Sequence, residues 1–343
     1  MRNTKPHDEK TALFTASNLS VFDRGFLLVA TMLAMLGWFV MACRILSDSY
    51  PILDLASHLS WHTWCALSVV GLVASFSSRV CVGEKRLRWL HRLVMSMLPW
   101  LYLTWVTTPW TMLPLAVNDP EAKGLKVLSW NMWILSQSPD EALKLLRECD
   151  ADVIAIIELG HEQARVLKQL EEVYPYCLWM PDEKSRGIAV LSRIEGTRFT
   201  SIDLAYEGMP AIEADVPATV SHSSYRIMAV HTRSPDLHQR TLDRNQQLNG
   251  LAEWAALPAK ACMIIGDLNI TPWAPPFSRL LQKGNLEDTR NYRGNFASWP
   301  TDLGPFAIPI DHALVSRNSH ILYRGVGLSA PDSDHRPIMV VLK

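Results

Sequence analysis

Three long runs without a charged side chain crowd the first 120 residues of this 343-residue chain: 25–43, 55–78 and 93–117. They hold 19, 24 and 25 residues, and the third contains Pro99, Pro109 and Pro114. A bilayer core of ~30 Å needs roughly 20 apolar residues as helix, so residues 1–120 are expected to form a membrane region with about three transmembrane helices. The second run is the least apolar, because it carries His58 and His62. Buried helices of a soluble domain would need amphipathic partners to cover them, and these runs leave none. A cleaved signal peptide is disfavoured: no small-residue cleavage pattern follows the first run, and two more apolar runs do.

Basic residues set the expected orientation. The segment between the second and third runs carries Arg79, Lys85, Arg86, Arg88 and Arg92 against Glu84, and the N-terminal tail carries Arg2, Lys5, Lys10 and Arg24. The segment between the first two runs has only Arg44, with Asp48 and Asp54. Tail and second loop are therefore expected in the cytoplasm. Three crossings then put everything after Val117 on the extracytoplasmic side of a multi-pass inner-membrane protein. Apart from the loop-side Asp54 the runs hold no acid, so no ion path for a transporter or channel is apparent. The six cysteines decide little; Cys149, Cys177 and Cys262 each sit in or beside an apolar stretch and read as buried free thiols.

Asn118-Asp119-Pro120 and Gly124 read as a linker, and residues 124–343 are ample for one sizeable core. Apolar runs of strand length recur there: 126–130, 153–159, 187–192, 212–216, 225–231, 262–266, 312–315 and 338–342. Helix-like segments lie between them at 138–149, 160–173, 237–256 and 277–283; the first opens with Ser138 at the cap, Pro139 next and Glu141 at the third position. Strands alternating with helices, nearly all apolar on both faces, make an α/β protein with two stacked sheets and helices outside.

Six of these strands end in polar groups that a buried strand does not need: Asn131, Glu158, His231, Asp267 with Asn269, Asp311 with His312, and Asp334 with His335. Each alone has an ordinary reading as a turn, cap or core residue. Six coincidences at six strand ends are harder to credit. Asp and Asn two residues apart leave a strand on the same side. Asp, Glu, Asn and His gathered at strand ends are the parts needed for metal-assisted cleavage of a phosphate ester.

The ordered series Ser-Trp-Asn131, Ile-Ile-Glu158, Arg186-Gly-Ile-Ala-Val-Leu-Ser192, Val-His231, Gly-Asp267-Leu-Asn269, Ile-Asp311-His and Ser-Asp334-His335 resembles the endonuclease/exonuclease/phosphatase superfamily, the deoxyribonuclease-like fold. The resemblance covers about Gly124 to Lys343 and suggests a membrane-anchored, bacterial-type member. It implies a four-layer α/β sandwich, two stacked mixed β-sheets flanked by helices, with the site at one edge of the sheets. It also implies a hydrolase acting on ester bonds.

Combined with the chemistry of the residues, the resemblance assigns Asn131, Glu158 and Asp334 to Mg²⁺ (or Mn²⁺). Asp267 positions or deprotonates the attacking water, and Asn269 fixes its geometry or a phosphate oxygen. His231 and His335 donate hydrogen bonds to the phosphate, and Asp311 holds the His335 tautomer. Arg186 is a candidate phosphate contact that could equally be a turn residue. His312 has no set role and reads as structural.

The substrate stays open at this point. From Gly124 on, 22 Lys and Arg face 26 Asp and Glu, a net charge of −4, which is poorly suited to tight nonspecific grip on nucleic acid. Arg233, Arg240 and Arg244 cluster after His231 and are expected on a solvated helical face with one functional member. Trp273 with Pro272, Pro275 and Pro276 makes a stiff apolar loop just after Asn269. The expected partners are the lipid bilayer and a phosphoester substrate, either a lipid head group or nucleic acid, with no obligate protein partner evident. An extracytoplasmic nuclease, or an inactive binding module of the same fold, is the alternative.

Overall fold

The structure is a computed structural model that describes residues 21–47, 50–80, 83–110, 116–204, 208–236, 239–257, 260–328 and 330–343. The basic tail residues Arg2, Lys5 and Lys10, residues 111–115 of the third apolar run, and Leu237 at the expected start of a helix lie outside these. Two units are distinguished, one comprising residues 1–39 and 63–103, the other residues 40–62 and 104–343.

The first unit is helical, drawn from α1 (Val21–Leu46), α3 (Ser60–Val80) and α4 (Gly83–Thr107); the single turn α2 (Asp54–Ser57) falls in the second unit. Polar groups tie these helices pairwise: Trp38 Nε1 donates to Met95 O at 2.9 Å, Arg92 Nε to Thr31 Oγ1 at 3.1 Å, and Trp100 Nε1 to Ser68 Oγ at 2.8 Å. Leu27, Ala74 and Trp89 are buried between them, whereas Leu28, Met35, Leu72, Phe76, Val94 and Met97 face outward.

Among the described residues one helix, Arg24–Leu46, is long and apolar enough to cross a membrane. A second counts only if Pro51–Ser57 and Ser60–Arg79, which meet at a 48° bend, are taken as one span. Length and composition alone decide this, and a buried core helix or a signal sequence passes the same test. The expectation of three spans is therefore corrected. The third run shares α4 with Lys85, Arg86, Arg88 and Arg92, which the sequence placed in a loop. That leaves 15 uncharged helical residues, 93–107, or about 22 Å at 1.5 Å per residue.

The second unit holds two six-stranded sheets. The first contains β1 (Leu125–Asn131), β2 (Val153–Ile157), β3 (Tyr176–Met180), β4 (Ile188–Ser192), β11 (Ile321–Val326) and β12 (Ile338–Leu342), in the order β11-β12-β1-β2-β4-β3. The second contains β5 (Arg198–Asp203), β6 (Pro210–Val216), β7 (Tyr225–His231), β8 (Ala261–Asp267), β9 (Leu286–Asp288) and β10 (Asp311–Ser316), in the order β5-β6-β7-β8-β10-β9. Val127, Val153, Ile157 and Val190 of one sheet meet Ile227, Ile265 and Val315 of the other in a central core.

Each outer face has its own helical cover. Trp130, Ile154 and Ile156 cluster with Leu143 and Leu146 of α5 (Pro139–Glu148) and Leu167 of α6 (His161–Leu167). Met228, Ile264 and Leu314 cluster with Leu248 and Leu251 of α7 (Gln239–Ala256) and Phe277 of α8 (Pro275–Lys283). The central strands are apolar throughout because both of their faces are buried. The result is the four-layer α/β sandwich.

Candidate active site

Register gathers the polar strand ends. β1 and β2 run parallel with Asn131 opposite Ile157, so Asn131 and Glu158 emerge side by side. β7 and β8 run parallel with His231 opposite Asp267, and antiparallel β10 sets Asp311 opposite the same Asp267. Just before Asp267, Gly266 has φ 136°, and a Cβ there would come within 2.0 Å of Val230 O. Only glycine lets β8 pass so close to β7 at this point. Glu158 and Asn269 both turn through the left-handed region, with φ of 58° and 48°, which swings their side chains back over the strand ends.

Asp267 is the hub. Asn131 Nδ2 donates to Asp267 Oδ2 at 3.1 Å and to Glu158 Oε1 at 3.3 Å, bridging the two carboxylates, while Asn131 Oδ1 accepts the Trp133 N–H. His231 Nε2 lies 3.8 Å and His335 Nε2 3.7 Å from Asp267 Oδ2, and His231 Nε2 lies 3.7 Å from Glu158 Oε1. The Asn269 N–H donates to Asp267 Oδ1 at 2.8 Å. Asp311 Oδ2 sits 2.8 Å from His335 Nδ1. Trp299 Nε1 donates to Asp334 Oδ2 at 2.8 Å, and Asp334 Oδ1 is buried without a hydrogen-bond partner among the described residues.

The two histidines differ. His231 Nδ1 sits on Ser185 O at 2.8 Å, and Asn269 Nδ2 approaches His231 Nε2 at 3.2 Å. A carbonyl only accepts and an amide NH₂ only donates, so His231 carries its proton on Nδ1 and accepts at Nε2. His335 instead turns Nδ1 to the Asp311 carboxylate. Burial opposes its charge, but the Asp311 carboxylate overrides this and raises its pKa to about 10. Asp311 is held below the ordinary carboxylate range, burial being outweighed by His335. Burial, reinforced by Asp311, pushes Asp267 up to about 6, against the pull of His335 and His231.

These groups open into a cavity of about 710 Å³ whose lining includes Glu158, His231, Asp267, Asn269, Asp334 and His335. Arg186, Arg233, Arg240 and Lys184 line it as well. Arg186 is half-exposed and paired with Asp182 at 2.9 Å. Arg244 is not on a solvated face: it is fully buried and ion-paired with Asp54. His312 is buried in a structural network, with Ile270 O at 2.7 Å from Nε2 and Arg290 at 2.7 Å from Nδ1. Sequence reasoning did not reach Trp299 or His58, which also line the cavity. Trp299 follows no strand, and His58 lies in a run taken for a span.

The donor set suits a hard divalent cation: several carboxylate oxygens, one of them the unpartnered Asp334 Oδ1. The compact group is Asp267, Asp311 and His335, whose ligand atoms lie within 4.8 Å of one another. There, however, His335 Nδ1 is committed to Asp311, and the pair holds a proton that a cation would displace. Glu158 accepts from the Asn131 amide and the Ile134 N–H, and Asp334 from Trp299, so neither shares a short carboxylate–histidine hydrogen bond of that kind.

Residues 128–335 match the family model described as the Endonuclease/Exonuclease/phosphatase family. The chain belongs to this family of hydrolases acting on phosphoester bonds. Among solved structures it is similar to a 3' phosphatase, NExo, from Neisseria bound to product DNA hairpin, at 19% identity and a TM-score of 0.53 over 64% of this chain and 99% of that one. It is also similar to a humanized D. rerio TDP2, at 16% identity and a TM-score of 0.52 over 64% and 98% of the two chains. A conserved protein of unknown function from Enterococcus faecalis V583 gives 18% identity and a TM-score of 0.51 over 64% and 99%. At these identities the likeness shows the fold. No curated protein matches the chain.

Proposed function

We propose that the chain is a membrane-anchored, divalent-metal-dependent phosphoesterase that hydrolyses a phosphodiester or phosphomonoester by attack of water. The observation that carries this reading is Asp267, a fully buried carboxylate with its pKa pushed up to about 6 between two histidines at the floor of the cavity. Such a group is ionised at neutral pH yet basic enough for Oδ2 to take a proton from water. The N–H of Asn269 on Oδ1 and the amide of Asn131 on Oδ2 aim the carboxylate. His335, kept cationic by Asp311, presents Nε2–H to a phosphate oxygen where negative charge grows. His231 accepts from Asn269 Nδ2 and so fixes that amide's orientation. Glu158 and Asp334, with Asn131 beside them, would hold the Mg²⁺ or Mn²⁺. When bound, the ion would polarise the phosphoryl oxygens and neutralise their charge.

The outward-facing Leu, Met and Phe side chains of α1, α3 and α4 support anchoring by the N-terminal region. With α1 taken as the one crossing and the basic N-terminal tail (Arg2, Lys5, Lys10 and Arg24) on the cytoplasmic side, we place the catalytic unit on the extracytoplasmic side of the inner membrane. Alkaline phosphatase fused after Lys343 is expected to be active and a fluorescent protein at the same site dark; the reverse pattern overturns this orientation.

Substrate class is tested with the full chain in detergent, offered bis(p-nitrophenyl) phosphate, plasmid DNA and phospholipid vesicles with Mg²⁺ or with chelator. Metal-dependent cleavage of at least one is expected, and its identity assigns lipid or nucleic acid. Cleavage of none with any divalent metal overturns the proposal.

A further inference from the structure

The two sides of the cavity differ in chemistry. His231 and His335 bring Nε2 to 3.8 and 3.7 Å from the same Asp267 Oδ2, so each histidine marks one side of that carboxylate. The His335 side is apolar: the Trp299 ring lies 6.2 Å from the His335 ring, its backbone pairs with Ile308, and both Trp299 and Ile308 line the cavity. On the His231 side the lining is cationic. Lys184 and Arg186 come from the β3–β4 connection, Arg233 from just beyond β7, and Arg240 from the first turn of α7.

Backbone bonds fasten these segments beside the reacting groups. Ser185 O lies 2.8 Å from His231 Nδ1. Leu159, next to Glu158, donates its N–H to Gly187 O at 3.0 Å and accepts the Asp182 N–H at 3.1 Å. Arg233 follows His231 by two residues, and its N–H donates to Gln247 Oε1 of α7 at 2.7 Å.

A carboxylate backs each arginine: Asp182 at 2.9 Å from Arg186, Asp243 at 3.8 Å from Arg233 and Asp236 at 4.0 Å from Arg240. None of these three acids lines the cavity, whereas all four cations do. The carboxylates thus brace the guanidinium groups from behind. The acids that do line it, Glu158, Asp267 and Asp334, are those already given to the ion and the attacking water. The acidic balance of residues 124–343 therefore conceals a basic wall at the site. Guanidinium forks held in place from two separate segments suit the oxygens of a phosphate. The phosphate over Asp267 is already met by His335, so it does not account for four further cations on the other side.

We propose that Lys184, Arg186, Arg233 and Arg240 form a subsite for a second phosphate of the substrate, on the His231 side of the one that is cleaved. The inference rests on the phosphoesterase reading and deepens it: the substrate carries two phosphates close together rather than one isolated ester. A nucleotide chain and a lipid diphosphate both offer that chemistry.

The test is calorimetric binding to the full chain in detergent with chelator present, so that the side chains alone are read. Thymidine 5'-phosphate is compared with thymidine 3',5'-bisphosphate, and geranyl phosphate with geranyl diphosphate. The second phosphate is expected to tighten binding at least about tenfold in one pair, and that pair names the source. The four side chains are partly or fully exposed, so glutamine is tolerated at each. Lys184→Gln/Arg186→Gln and Arg233→Gln/Arg240→Gln are each expected to cut the advantage to about threefold or less. A merely structural loss would weaken both members of a pair alike and leave the ratio unchanged. Equal binding within both pairs in wild type overturns the proposal, as does a full advantage surviving in either double variant. Should wild type cleave none of bis(p-nitrophenyl) phosphate, plasmid DNA and phospholipid vesicles, the phosphoesterase reading fails on that result. The binding ratios, read without turnover, still decide the subsite by themselves.

Discussion

Asp267→Asn in the full chain is expected to lower kcat by about 10³-fold while the thermal midpoint stays level or rises. The two effects have one cause. The Asp267 charge is fully buried and faces Asp311, which is why its pKa is raised despite the histidines. A neutral amide keeps an oxygen for the Asn269 N–H and removes the unfavourable buried charge, which offsets the loss of the Asn131 Nδ2 hydrogen bond to Oδ2. It cannot take a proton from water. Steady-state kinetics and a thermal melt on the same sample check both halves. A variant that loses activity only in proportion to lost folded protein would make Asp267 a structural residue.

Asp54→Ala has the largest expected effect on stability. Asp54 and Arg244 are each fully buried, and Asp54 also accepts from Ser57 Oγ at 3.0 Å. Removing one partner of a buried pair strands the other charge and costs about 3–5 kcal/mol. For a unit of this size that is a fall in thermal midpoint on the order of 10 °C. The double variant Asp54→Ala/Arg244→Met, which leaves no stranded charge, is expected to recover much of it. Arg244 also holds the carbonyl of Asn269, so the single variant should lose activity beyond what unfolding explains. A midpoint unchanged in Asp54→Ala would mean that residues 51–62 are not docked on the catalytic unit in solution.

The central strands were legible because both of their faces are buried, which writes them as continuous Val- and Ile-rich runs. The four strands the sequence did not declare, β3, β5, β9 and β11, are the four sheet edges. Edges are half-solvated and carry polar residues: β5 reads Arg-Phe-Thr-Ser-Ile-Asp with four exposed positions, and β9 is only three residues long. The catalytic candidates were legible for the complementary reason, as polar groups abutting apolar runs.

Residues arriving from elsewhere were not. His58 and Asp54 pack on the catalytic unit from more than 180 positions before Thr271 and Arg244, and an uncharged run gives no sign of where a segment docks on distant residues. Arg244 read as solvated because the first half of α7 is polar, yet Thr241, Asp243, Arg244 and Gln247 are all buried there. Glu158 shows the same limit at backbone level. Its φ of 58° is dictated by the crowded strand end rather than by the preferences of glutamate.

The most direct measurement of the central claim is hydrolysis of whichever of bis(p-nitrophenyl) phosphate, plasmid DNA and phospholipid vesicles the full chain cleaves, by metal-stripped protein during Mg²⁺ titration, with Glu158→Gln alongside. Wild type is expected to be inactive in chelator and to recover saturably with Mg²⁺, while Glu158→Gln stays at least about 10²-fold below it. Cleavage indifferent to chelation, or a Glu158→Gln curve that overlays wild type at every Mg²⁺ concentration, would contradict the account.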